Sequence, residues 1–113
     1  MLQWMEDRDQ FQKATKEHRG FFVLAFLGEF SEAAQQARAE LEQFASDHEE
    51  VPVLAVDVEK VKGVHKEFGV DRVPTVLAVE NGEVNKSMEG VQSARFLRAA
   101  FGRRRPFPWR RFG

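Results

Sequence analysis

Ser31 lies between Glu29 and Glu32, so a hydroxyl and two carboxylates meet within one short segment. That combination suggests either a nucleophilic serine or a carboxylate pair in general acid/base work. A serine nucleophile needs a base to take its proton. The three histidines, His18, His48 and His65, stand 30 and 17 residues apart, in predicted helices or at their ends. No spacing among them nominates a base or converges on a zinc site. The two carboxylates also weigh against a phosphate at this point, which would face like charge. A simpler role accounts for all three residues: serine is a good helix N-cap, and acids beside it face the positive end of the helix dipole. The chain has no cysteine, which excludes disulfides, thiolate nucleophiles and thiolate-bound metals. No catalytic residue, metal or cofactor is expected.

A second chemically distinct cluster closes the sequence: Arg103, Arg104 and Arg105, then Pro106-Phe107-Pro108, then Trp109, Arg110, Arg111, Phe112 and Gly113. Two prolines in three residues forbid a continuing helix. All 18 acidic residues and 12 of the 17 basic ones fall in residues 1–102, a net of −6, while the last eleven residues carry five arginines and no acid. The chain is therefore read as a body, residues 1–102, and a basic aromatic tail, residues 103–113. Arginine pairs with phosphate or carboxylate while Phe and Trp stack or enter interfaces, so nucleic acid, anionic lipid and acidic protein are all candidate partners. The same composition allows the tail to fold back on its own acidic body, or to reach a neighbouring copy and make a homo-oligomer.

At 113 residues and 42% hydrophobic content, one compact domain is expected. Eleven Phe and two Trp, with no Tyr, predict a core rich in Phe. No apolar run approaches the roughly 20 residues needed to cross a bilayer. Residues 1–20 are charged and polar where a signal peptide would be apolar, so the expected setting is the cytoplasm.

These residues must be positioned by a small set of elements. Trp4, Phe11 and Ala14 recur at near-helical spacing within residues 3–18 and predict an amphipathic opening helix, with Gly20 as its stop. The apolar run 21–27 reads as a central strand covered on both faces. Residues 31–47 are rich in Ala, Glu, Gln and Leu, with Ala34, Ala37, Leu41, Phe44 and Ala45 on one face of a helix. Residues 51–58 predict a second buried strand, with Pro52 near its start, and 60–68 a short helix before Gly69. Apolar runs 76–79 and 84–88 flank Asn81-Gly82, the pattern of a tight antiparallel hairpin, and 93–101 forms a last helix. The order predicts an α/β fold with a central mixed sheet of four to five strands and helices on both faces.

Within that order, Val23 to Phe30, Asp57, Phe68-Gly69-Val70, Val73-Pro74-Thr75, Asn81-Gly82-Glu83-Val84 and Gly90 together resemble the thioredoxin family over about residues 5–101. The resemblance implies a thioredoxin fold and a cis Val73–Pro74 bond in a loop facing the active-site helix. It also sets the missing chemistry in relief. The family's Trp-Cys-Gly-Pro-Cys segment is matched here by Phe30, Ser31, Glu32, Ala33 and Ala34, and neither Ser31 nor Ala34 can exchange disulfides. Redox-active members carry a buried acid in the strand beneath that motif, and Ala25 occupies the matching place. These losses form a consistent set, unlike an isolated cysteine knockout.

What the resemblance implies of function is therefore binding without thiol catalysis. The family's partner surface is matched by Phe30, Val73, Pro74, Thr75, Gly90 and Val91, where an extended peptide could pair by main-chain hydrogen bonds and apolar contacts. The expected function is a redox-inactive, non-catalytic scaffold or chaperone-like module that takes a protein or extended peptide. The alternatives are a thiol-independent enzyme in the former cleft, and nucleic-acid or membrane binding through Arg103, Arg104, Arg105, Trp109, Arg110 and Arg111.

Overall fold

A computed structural model describes residues 2–28 and 31–101. The elements are β1 (Leu2–Met5), α1 (Arg8–Glu17), β2 (Phe21–Leu27), α2 (Glu32–Asp47), β3 (Val53–Asp57), α3 (Val64–Glu67), β4 (Thr75–Glu80), β5 (Glu83–Glu89) and α4 (Ala94–Phe101). They form a five-stranded sheet in the order β1-β3-β2-β4-β5. β1, β3 and β2 run parallel, β4 runs antiparallel to β2, and β5 antiparallel to β4.

The predicted opening helix over residues 3–18 is divided in the structure. Residues 2–5 pair with Val53, Leu54, Ala55 and Val56 of β3, so this edge of the sheet claims Trp4 for a strand. The helix begins only at Arg8, where the Asp7 carboxylate accepts from the Gln10 amide at 2.8 Å and the Gln10 side chain accepts from the Glu6 amide at 2.6 Å. An acid followed three residues later by Gln is a helix-start signal, and it locates the true boundary. The predicted helix over 60–68 is also shorter. Lys60 and Val61 donate to the Asp57 carbonyl and Glu59 donates to the Asp57 side chain, winding this stretch into a turn that delays α3 to Val64.

β2 is buried along nearly its whole length because both sheet faces are covered. On one face Phe22, Leu24, Phe26, Leu54, Val56 and Leu77 pack with Phe11 of α1 and Val64 of α3. On the other, Val23, Ala25, Leu27, Val53 and Val76 pack with Ala37, Leu41 and Phe44 of α2 and with Leu97 and Phe101 of α4. Phenylalanine fills the corners: Phe68 lies 6.0 Å from Phe11 and 5.8 Å from Phe26, and Phe101 lies 6.4 Å from Phe44, centroid to centroid. Valine carries as much of the sheet, a consequence of β-branched fit to a pleated surface.

The hairpin turns on Asn81 and Gly82, both at positive φ (53° and 85°), the geometry that makes an Asn-Gly pair favourable. A register shift between Ala78 and Val79 leaves Asn85 as an extra residue in β5, and its side chain donates to Glu80 at 2.8 Å.

Candidate functional site

The parallel strands β1, β3 and β2 end at one pole of the sheet. β4 starts and β5 finishes there too, because Phe26 pairs with Thr75 and Thr75 with Glu89. α2 begins at the same pole. Its N-cap, Ser31, has extended backbone, and the Ser31 hydroxyl accepts from the Ala34 amide at 3.0 Å. Glu32 is exposed in the first turn, Ala33 is half-buried, and Ala34 turns into the core. The hydroxyl that sequence alone could nominate as a nucleophile is thus a helix cap.

The Val73–Pro74 peptide bond is cis. Pro74 is buried, its carbonyl accepts from the Gly90 amide at 2.8 Å, and the Thr75 hydroxyl donates to the Arg72 carbonyl at 2.6 Å. The loop is therefore braced from both sides, by β5 and by its own chain. Val73 remains 39% exposed and Val91 37%. A Cβ built on Gly28 would stand 3.2 Å from Val73 Cγ2, so glycine just after β2 lets the loop close against that end of the strand. Gly90, at φ 89°, turns the chain from β5 toward Val91, and the Gln92 side-chain amide holds that turn by donating to the Glu89 carbonyl at 2.9 Å.

Val73, Pro74, Thr75, Gly90 and Val91 therefore gather at the end of the sheet where Ser31 opens α2. Phe30, expected in the same place, lies outside the described residues, as do Glu29 and the tail positions Arg103, Arg104, Arg105, Trp109, Arg110 and Arg111. Beneath the start of α2, Ala25 is fully buried between Ala55 and Val76, with Val23, Leu27, Ala37 and Leu41 in the same cluster. No carboxylate occupies that place.

The histidines are elsewhere. His18 and His48 terminate α1 and α2 at the opposite pole, and a 16-residue helix separates Ser31 from His48 by roughly 24 Å. His65 sits on α3, its ring 6.3 Å from Phe26 on the other face of the sheet. Among the described residues, the Ser31 hydroxyl hydrogen-bonds no histidine or lysine, and no group of three or more His, Asp or Glu side chains is placed to hold a metal. None of the described helices is long and apolar enough to cross a membrane.

Sequence reasoning did not single out Phe96, 46% exposed on α4, or the Arg38 guanidinium, 4.7 Å above the Trp4 ring. The first was legible, since Phe96 falls outside the i, i+4 pair Leu97 and Phe101 that faces the core. The second joins an edge strand to a helix and had no local signature.

A profile of the thioredoxin family matches residues 3–102. No curated protein matches the sequence. Among solved structures, thioredoxin from Fasciola hepatica is similar at 18% identity, covering 91% of this chain and 99% of that one, with a TM-score of 0.79. Oxidised thioredoxin from Plasmodium falciparum is similar at 15% identity, covering 88% and 94%, with a TM-score of 0.77. Thioredoxin from Malassezia sympodialis is similar at 22% identity, covering 88% of each chain, with a TM-score of 0.73. These identities speak to the fold, and the profile speaks to descent. With the strand order, the braced Pro74 loop and the helix that starts at Ser31, they lead to one conclusion: this cysteine-free chain belongs to the thioredoxin family.

Proposed function

We propose that the protein is a redox-inactive, non-catalytic binding module, a scaffold or chaperone-like factor that takes an extended segment of a partner protein at the Ser31/Pro74 pole. The observation that supports this reading most is the braced cis-proline loop, which leaves Val73 and Val91 exposed beside a helix start whose hydroxyl is engaged in capping. An exposed apolar pair at a rigid loop suits side-chain pockets, and an extended peptide adds main-chain hydrogen bonds that need no thiol. An enzyme at this pole would need a base for Ser31, and the three histidines lie at the far pole or across the sheet. In this proposal the module works in the cytoplasm, which cell fractionation tests.

The test has two arms. Purified protein should show no disulfide reductase turnover with insulin, and turnover would overturn the reading. Partners captured from host lysate should shift the amide resonances of Val73, Thr75, Gly90 and Val91, and Val73→Asp should weaken their binding at least tenfold. Shifts confined to other surfaces, with Val73→Asp binding normally, would move the function off this pole.

A further inference from the structure

β1 and the second half of α2 leave a cleft of about 300 Å³ between them, with Leu2 and Trp4 on one side and Glu42, Ser46 and Glu49 on the other. Its floor is apolar and Glu42 and Glu49 line its rim, while the Arg38 guanidinium, 4.7 Å over the Trp4 ring, lies outside the lining. Asp47 and Glu50 are exposed close by, and the last turn of α2 carries no basic residue. Carboxylates at the negative end of a helix dipole are unfavourable, and a neighbouring cation relieves them.

The chain leaves the described fold across α2 from this cleft. Phe101, the last residue of α4, packs 6.2 Å from Phe21 at the start of β2 and 6.4 Å from Phe44 on α2. Leu2 and Val23 both pair with Val53, so the starts of β1 and β2 share this pole. Residues 102–113 follow, twelve in all. They can span roughly 40 Å when extended and need only cross α2, a helix about 10 Å in diameter.

Charge selects this cleft over a larger one. The groove of about 440 Å³ lined by Phe11, Phe22 and Phe68 also presents Lys16 and Arg19, which repel an arginine-rich segment, while its carboxylate Glu67 is already paired with Arg8 at 2.7 Å. The tail carries five arginines, no acid, and the rings Phe107, Trp109 and Phe112. It offers aromatic groups for the Leu2/Trp4 floor and guanidinium groups for Glu42 and Glu49.

We infer that residues 103–113 bind in cis to the cleft between β1 and α2, with aromatic rings on Leu2 and Trp4 and arginines against Glu42 and Glu49. The Ser31/Pro74 pole lies at the other end of α2, so the docked tail leaves it open, and this inference does not rest on the function proposed for that pole.

The test uses the full chain. Chymotrypsin should cut the Trp109–Arg110 bond slowly in 20 mM salt. Cleavage should be at least tenfold faster in Glu42→Lys/Glu49→Lys, two exposed positions whose replacement is checked by far-UV circular dichroism. It should be equally fast for the wild type in 1 M NaCl, where screening extends only about 3 Å. Nuclear Overhauser contacts between Trp109 and Trp4 should disappear in Arg103→Gln/Arg104→Gln/Arg105→Gln, which leaves the body untouched. Equal cleavage rates in all samples would overturn the inference. Protection that rises with protein concentration, with dimers in sedimentation, would overturn the cis assignment in favour of a second copy.

Discussion

At the scale of single residues, Ser31 and Ala25 serve the fold. Ser31 caps α2 through its hydroxyl, so Ser31→Ala should lower stability in urea denaturation by about 0.5–2 kcal/mol while leaving partner binding unchanged. Loss of binding at unchanged stability would return the hydroxyl to a functional role. Ala25 is sealed beneath that helix with apolar neighbours. Ala25→Asp should cost about 3 kcal/mol or more at neutral pH, because a buried carboxylate loses its hydration. The sign with pH is definite. Burial raises the folded-state value above the unfolded one of about 3.9, so the added charge penalty is absent below that pH. It grows by about 1.4 kcal/mol per unit above it, until the folded-state value is reached. Urea titrations at several pH values measure this directly. Both substitutions concern features legible in the sequence, since a serine before an Ala-rich helix and an alanine within a buried apolar run carry local signatures. The need for glycine at position 28, opposite Val73, was not legible, because it depends on how two distant segments approach.

At the scale of elements, the strongest reading from sequence was the hairpin, and the weakest was the first eighteen residues. Asn81-Gly82 encodes its own turn, and Gly82 at φ 85° has open space around its missing side chain. Gly82→Ala should therefore destabilise by about 1–2 kcal/mol through backbone conformation alone, seen as a lower thermal midpoint. The opening segment misled because Trp4, Phe11 and Ala14 satisfy a helical period while Trp4 belongs to a strand whose partner is some fifty residues away. Periodicity reports local patterning, and among the described residues β1 pairs with β3 alone. The Asp7 cap is the local feature that separates the two, and Asp7→Ala should cost about 1 kcal/mol, read by denaturant titration.

At the scale of the whole molecule, the two poles of the sheet differ in what they gather. One gathers the braced Pro74 loop and the start of α2; the other gathers the chain's exit at Phe101 and the acidic cleft. With no cysteine in the sequence, thermal and urea midpoints should be the same with and without dithiothreitol, and a reductant-dependent shift would contradict that expectation. The sheet order carries one more consequence, set in time rather than space. Leu2 pairs with Val53, and Met5 with Val56. At about 5–20 residues per second of synthesis, roughly 3–10 s pass between the ribosome adding the first strand and adding the strand it pairs with. During that interval Leu2 and Trp4 travel on a growing chain without a sheet to join, and the nascent protein must keep them from other exposed strands until β3 arrives.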